Sequence, residues 1–340
     1  MAESPTCWVL DHPAHMQLFH KFIQNGSPVD IIVATKRAEI DAMIDSNSSP
    51  LPKRHILRVK RPVGRRILPI QREIRALRRI RSVSSLLKRR NLTGKPIEKV
   101  VVKGAALEIS AAKKANIPQR IYITDTEVNH LAHSIALSSA TDVIVTPNWR
   151  QDLDGGFIDD CNSNGIKVHK LIGELPHVYL SQPSIIRDVK EGVVPRIFHR
   201  SLKGGGVHDK DELVSAEPLI SDLGMEVTTV VENQSINDPW GLPQAISEYH
   251  GVLSESVTLA HEAVSLGVPT LLVSKAQRGF LDQHLGGGLL FRIDSTVKGP
   301  VLNNEVAAWR EAVQMRRRGD GLAVGWSDCY NELKQMLSNF

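Results

Sequence analysis

Gly251-Val-Leu-Ser-Glu-Ser-Val-Thr-Leu-Ala-His-Glu-Ala-Val-Ser-Leu-Gly-Val-Pro-Thr-Leu-Leu-Val-Ser274 reads as strand, turn, helix, turn, strand. Val252-Leu253 is a short apolar run, and Ser254-Glu255-Ser256 is polar and turn-like. Ser256 or Thr258 supplies a helix cap. Leu259, Glu262, Ala263 and Leu266 follow at helical spacing, and Gly267 with Pro269 ends the helix. Thr270 to Val273 then reads as a buried strand of the parallel type. A helix N-terminus just past a strand's carboxyl end, edged with hydroxyls, is suited to an anion. Glu262 lies about one turn inside that helix, where a carboxylate reaches a ribose.

Working outward, strands and helices alternate along the whole chain. Thr6–Leu10, Val29–Ala34, His55–Val59, Glu98–Val102, Arg120–Ile123, Thr141–Pro147 and Ile166–Leu171 read as strands. Helices are expected at 16–25, 38–45, from Ile70 onward, 106–116 and 129–139, with 148–164 as loop. A second alternating block starts at Pro195–Arg200. It continues through a helix at 209–223, a strand at Glu226–Val231 and a weak helix to Tyr249, and then reaches the quoted stretch. A strand at Leu289–Ile293 and helices at 303–318 and 326–337 close the chain. This alternation predicts an α/β fold of two Rossmann-like, doubly wound domains facing across a cleft, the GT-B arrangement. The expected boundaries are 1–185 for the N-terminal domain, with a basic insertion at 53–90, and 190–325 for the C-terminal domain. Residues 326–340 form a last helix packing back on the N-terminal domain.

Length and composition agree with two globular domains: 340 residues, 41% of them hydrophobic. No run approaches the 18 apolar residues of a membrane span. The start, Met-Ala-Glu-Ser-Pro-Thr, has no basic-then-apolar leader pattern, so a cytoplasmic protein is expected. Three scattered cysteines predict neither a disulfide framework nor a zinc site. The net charge of +5 is unevenly placed: Lys53 to Arg90 holds 15 Lys or Arg against Glu73 alone, so that segment is +14 and the rest of the chain −9. From Ile70 this segment reads as a basic amphipathic helix with Ile70, Ile74, Leu77, Ile80, Val83, Leu86 and Leu87 as its apolar stripe. Arg72, Arg75, Arg78 and Arg79 are expected on its polar side, facing an anionic membrane or another polyanion. The alternative is a surface helix with solvated arginines. No aromatic residue lies between 53 and 90, which disfavours stacking on nucleic-acid bases.

Several motifs, in order, carry a family resemblance. They are Trp8-Val-Leu-Asp-His-Pro-Ala-His-Met-Gln-Leu-Phe-His-Lys-Phe22, Thr124-Asp125 after a strand, Val143-Ile-Val-Thr-Pro147, Gly173 with Tyr179-Leu180, and Thr258-x-x-x-Glu262-Ala263-x-x-x-Gly267-x-Pro269. Together they resemble an uncharacterised archaeal and bacterial GT-B-like family. That family is related to the non-hydrolysing UDP-GlcNAc 2-epimerases and the MurG-type glycosyltransferases. The resemblance implies a glycosyltransferase-like enzyme that moves a sugar from a nucleotide-diphosphate donor to an acceptor hydroxyl. Its substrate would be a UDP-sugar, with no permanently bound cofactor. It also implies that Glu262 holds the donor ribose and that His15, oriented by Asp11, is the base deprotonating the acceptor. One departure stands out: Ser256 and Val257 replace a Gly-Gly pair that lets a phosphate approach the backbone.

Other candidates come from the residues themselves. Asp125 and Glu127 follow a strand, as cleft acids for sugar transfer or epimerisation would. Arg200 is placed to neutralise a diphosphate, although ion pairing is as common a role for arginine. Lys203-Gly-Gly-Gly206, with Gly205 in its middle, lies between a strand and a helix as a second phosphate-approaching loop without Walker spacing. Ser256 and Thr258 are expected on the diphosphate, a role compatible with plain N-capping. His12, His15 and His20 lack an acid or cysteine at ligand spacing, so no metal is expected. Three functions remain open: a glycosyltransferase, peripheral at the inner face of the membrane and held by its basic helix against an anionic membrane or a lipid-linked acceptor; a UDP-GlcNAc 2-epimerase-like isomerase; and a non-catalytic protein that binds polyanions through residues 53–90.

Overall fold

The computed structural model describes residues 5–52, 56–60, 69–93, 95–183, 192–202, 214–231, 238–296, 299–321 and 324–340. The chain divides into two compact units. Unit 1 comprises Met1–Leu175 with Cys329–Phe340, and unit 2 comprises Pro176–Asp328. The division falls at Leu175/Pro176, ahead of the 185–190 stretch expected from sequence, and the last helix belongs to unit 1.

Unit 1 is a seven-stranded, wholly parallel sheet. In chain order its strands are β1 (Thr6–Leu10), β2 (Ile31–Lys36), β3 (Ile56–Lys60), β4 (Lys99–Lys103), β5 (Gln119–Thr124), β6 (Asp142–Val145) and β7 (Lys167–Lys170). Their order across the sheet is β3-β2-β1-β4-β5-β6-β7. Winding runs outward from β1 to β3, then returns to β4 and runs the other way, so the switch point lies between β1 and β4. Both faces are covered, which explains the nearly unbroken apolar runs of the central strands. Cys7, Val9, Val33, Val100, Val102 and Tyr122 share one core with Ile109 of helix α4 (Ala106–Lys114). Trp8 points to the opposite face, its ring 5.3 Å from Phe19 and 5.8 Å from Phe22 of α1 (Pro13–Gln24). Tyr330 of α12 (Cys329–Ser338) extends that layer, 4.9 Å from Phe22. Among the described residues the other α-helices of the unit are α2 (Ala38–Asp45), α3 (Pro69–Thr93), α5 (His130–Leu137) and α6 (Phe157–Ser163).

Helix α6 lies in the stretch expected to be loop. The buried Asp154 nucleates it, accepting from the N–H groups of Gly156 at 2.8 Å and Ile158 at 3.4 Å, while Trp149 Nε1 donates to the same carboxylate at 2.9 Å. Helix α3 forms in the basic segment, with a different buried face from the expected stripe. Val83 and Leu87 enter the core, but Ile74 and Leu77 are 43% and 54% exposed. Arg79 is not on the polyanion-facing surface; it takes a core position at 4% exposure. Its Nε meets Glu108 Oε1 at 2.7 Å, Nη2 meets Thr35 Oγ1 at 2.8 Å, and Nη1 meets the Lys60 carbonyl at 2.5 Å. Glu108 is equally buried; burial pushes its carboxyl above the ordinary range and Arg79 pulls it back.

Unit 2 is a five-stranded parallel sheet of β8 (Arg196–Ser201), β9 (Glu226–Val231), β10 (Gly251–Ser254), β11 (Thr270–Val273) and β12 (Leu290–Ile293), in the order β12-β11-β10-β8-β9. Here the switch point lies between β8 and β10. Ile197, Leu253, Leu271 and Val273 pack on Trp309 and Val313 of α11 (Pro300–Arg317). Phe198 and Val252 face Leu259 and Ala263 of α9 (Val257–Ser265). Gly267, at φ +68°, closes α9 by donating to the Val264 carbonyl at 2.9 Å, and Val268 donates to the Ala263 carbonyl at 2.9 Å. This is the Schellman stop that a glycine at this place allows. Within the expected helix 209–223, only α7 (Glu217–Ile220) is helical among the described residues. The weak helix ahead of the quoted stretch is α8 (Leu242–Ala245) with a 3-10 turn at Ile246–Glu248. A short α10 (Gly279–Asp282) follows β11.

The Arg79 network gives a direct test. Arg79→Met keeps the bulk and strands Glu108 in the core, so unit 1 should lose about 3–5 kcal/mol of stability in urea denaturation. Replacing both partners, Arg79→Met with Glu108→Leu, should recover most of that loss.

Candidate functional site

The carboxyl ends of β1, β2, β4 and β5 bring Asp11, Arg37, Lys103 and Asp125 to one edge of unit 1, around its switch point. His12 caps α1, its Nδ1 accepting the Ala14 N–H at 3.2 Å, and this cap starts the helix that carries His15. Lys103 Nζ pairs with Asp125 Oδ2 at 2.5 Å, with the two side chains 14% and 24% exposed. Arg37 Nη1 donates to the Asp11 carbonyl at 3.2 Å, tying β2's exit to β1's. Gly104 follows Lys103 at φ +63° and turns the chain sharply into α4.

His15 is nearly buried, and Asp11 does touch it, although through the backbone. The Asp11 N–H donates to His15 Nδ1 at 3.3 Å. A backbone N–H can only donate, so Nδ1 keeps its lone pair and the proton of the neutral ring sits on Nε2. The ring therefore offers a ligand a hydrogen-bond donor, not the vacant nitrogen a general base needs. Burial holds its pKa well below the usual 6.5, with the charges of Lys103, His12 and Arg37 pushing the same way. Glu127, expected beside Asp125 as a second cleft acid, is fully buried and accepts the Arg150 N–H at 3.2 Å. It belongs to the folding of the loop after β6, and burial removes it from any ligand-facing pair.

In unit 2, Ser256 is the N-cap of α9; its Oγ accepts the Leu259 N–H at 3.4 Å, while Thr258 stays exposed. The first N–H groups of this helix have no carbonyl within the helix to bond, which gives its N-terminus a positive end. Glu262 is buried within α9, and the Tyr179 hydroxyl donates to its Oε1 at 2.7 Å. Arg200, at the end of β8, reaches the Val231 carbonyl at 3.4 Å. Lys203 and Gly205 lie outside the described residues, as does the Arg72 side chain.

The residue that sequence reading passed over is Glu255. Taken as part of a polar turn, it is 4% exposed, and its carboxylate spans the switch point of unit 2. Oε2 accepts the Leu202 N–H at 2.7 Å and the Ser201 hydroxyl at 3.4 Å, and Oε1 accepts the Ala216 N–H at 2.7 Å. Lys103, at the end of β4, joins Glu255 as a charged residue without a role in the sequence reading. The signal for Glu255 and Lys103 was position: a charged residue at the carboxyl end of a central parallel strand.

The His15 geometry carries a pH signature. Because its folded-state pKa is depressed, the stability it contributes is present above the unfolded value near 6.5 and lost as pH falls below it. The urea midpoint of the native chain should drop more steeply below pH 6.5 than that of His15→Gln, whose amide oxygen can still accept the Asp11 N–H.

No protein-family profile matches the chain, and no curated protein sequence does. Solved structures do. A Staphylococcus aureus MnaA–UDP co-structure is similar at TM-score 0.59 and 11% identity, over 99% of this chain and 98% of that one. UDP-GlcNAc 2-epimerase from Neisseria meningitidis bound to UDP-GlcNAc is similar at TM-score 0.60 and 12% identity, over 99% and 100%. Arabidopsis thaliana UGT89C1 complexed with UDP-L-rhamnose follows at TM-score 0.59 and 11% identity, over 99% of each chain. The two doubly wound parallel sheets and these full-length likenesses make the fold GT-B-like, shared with epimerases and glycosyltransferases alike.

Proposed function

We propose that this chain is a nucleotide-sugar enzyme, a glycosyltransferase that moves a sugar from a UDP-sugar to an acceptor hydroxyl. The observation that carries the reading is the Glu262 carboxylate. It is held by Tyr179 in the helix that follows β10, a strand at the switch point of unit 2. A pre-positioned carboxylate there suits the vicinal hydroxyls of a ribose, and the N-terminus of α9 with Ser256 and Thr258 suits the diphosphate. The ligands in the similar structures, UDP, UDP-GlcNAc and UDP-L-rhamnose, support the same class.

In unit 1 the base is assigned to Asp125, because His15 carries its proton on the ring nitrogen left for a ligand. Asp125 takes the acceptor hydroxyl's proton as that oxygen bonds to the anomeric carbon. The bond from that carbon to the diphosphate breaks, and UDP leaves with the electron pair as an anion. His15 Nε2–H and Lys103 supply donors to oxygens of the bound sugar or acceptor. The epimerase reading draws on the same Lys103–Asp125 pair, an acid and a base in contact, and on the epimerases among the similar structures.

Binding and turnover test these readings separately. UDP and UDP-GlcNAc should raise the melting temperature, and Glu262→Gln should weaken UDP binding about tenfold or more by calorimetry. No stabilisation by any nucleotide would remove both readings. Turnover of UDP-GlcNAc that releases UDP supports transfer, and appearance of the 2-epimer without UDP release supports the isomerase.

The exposed half of α3 supports a peripheral place on an anionic bilayer, with cytoplasmic location at the inner face. Ile74 and Leu77 stand out among the exposed Arg75, Arg78 and Arg81. At about 1 kcal/mol per basic residue near such a surface, reversing these three arginines to glutamate should cut co-flotation with anionic liposomes by about a hundredfold or more. Unchanged flotation would assign the helix another task, and tight salt-sensitive binding to RNA or DNA in its place would favour a polyanion-binding protein.

A further inference from the structure

The donor set that Glu255 fills has the make-up of an anion site. Two backbone N–H groups and one hydroxyl converge on it at the carboxyl ends of β8 and β10, where an open parallel sheet takes its ligands. The anion held there belongs to the chain itself. Both carboxylate oxygens are engaged at charge-assisted distance, and the side chain is nearly sealed from water. Glu255 immediately precedes Ser256, the N-cap of α9, so this buried charge is carried by the residue next to the helix N-terminus that the nucleotide reading offers to a diphosphate. Like charges brought to one desolvated edge repel strongly, and solvent screens them poorly.

We propose that Glu255 is a specificity-determining residue: its carboxylate fills the anion nest at the switch point of the second sheet and weakens this unit's hold on a diphosphate. The inference rests on the nucleotide-sugar reading for its biological ligand, while the nest itself is independent of that reading. It gives the departure from glycine at Ser256-Val257 a companion. One residue earlier, a fixed negative charge stands where the ligand's own charge would be welcome. Such a site discriminates through the uncharged parts of its ligand, the base, the ribose and the sugar, more than through phosphate. Release of the anionic product is correspondingly fast.

The test uses the full chain and its Glu255→Gln and Glu255→Ser variants, titrated with inorganic pyrophosphate, UDP and uridine at fixed low ionic strength. Both variants should bind pyrophosphate and UDP at least tenfold more tightly than the native chain, and 0.3 M salt should shrink that gain. Uridine affinity should change less than twofold. Formate should raise the melting temperature of Glu255→Ser and leave the native chain unaffected, since it refills the vacated nest. If the folded variants bind pyrophosphate no more tightly than the native chain, Glu255 is only a strut between the ends of β8 and β10 and the proposal falls. Should Glu255→Ser fail to fold, Glu255→Gln decides alone, because it keeps one acceptor oxygen and loses the charge. Absence of saturable uridine and UDP binding in all three forms would overturn the nucleotide reading, and the pyrophosphate comparison would still judge the nest.

Discussion

A parallel sheet that reverses its direction of winding leaves one pair of neighbouring strands whose exits part company, one connection passing over each face. Among the described residues, the charged groups Asp11, Lys103, Asp125 and Glu255 sit at those two partings, between β1 and β4 and between β8 and β10. The constraint is geometric: right-handed crossovers put each helix against the sheet and leave the carboxyl ends at the switch uncovered. Polar side chains collect there because the strand exits offer them backbone groups and charged partners in a sheet buried on both faces. The histidine, lysine and carboxylates of unit 1, and the two glutamates of unit 2, are consequences of where the winding turns.

The two edges solve the problem of charge differently. In unit 1 opposite charges meet directly, Lys103 with Asp125, and the nearby histidine is kept neutral by burial and by surrounding cations. In unit 2 a carboxylate is satisfied almost entirely by backbone N–H groups, and a second by a tyrosine hydroxyl. The first edge is held by a direct ion pair. The second edge has its nearest backbone donors already taken by a carboxylate.

Much of the architecture was legible in the sequence because its signals are local. The strands of both sheets announced themselves as short apolar runs punctuated by Gly, Pro and polar turns, and the Gly267 stop of α9 is written in one residue. Helix α6 was hidden because its start depends on one aspartate gripping backbone that otherwise reads as polar loop. The buried face of α3 was misjudged because hydrophobic periodicity assumes that arginines stay outside, and Arg79 does not. That exception needs Glu108, Thr35 and Lys60, which lie 29, 44 and 19 residues away and meet only in the folded chain. The site was half readable. Glu262 and Asp125 stand out in the sequence, one a turn inside a helix and one just after a strand, but the Asp11 contact to His15 and the donors on Glu255 exist only in three dimensions.

The burial of Arg79 has a mechanical side. Helix α3 is gripped near its middle by groups on β2, at the end of β3 and on α4, and its later turns are keyed into the core by Val83 and Leu87. Among the described side chains of its first turns, Gln71, Glu73, Ile74, Arg75, Leu77 and Arg78 are exposed. The helix is thus a cantilever with its fulcrum at an ion pair. A force on the free arm bears first on the carboxyl ends of β2 and β3, the same edge of the sheet that carries Arg37 and, through it, Asp11.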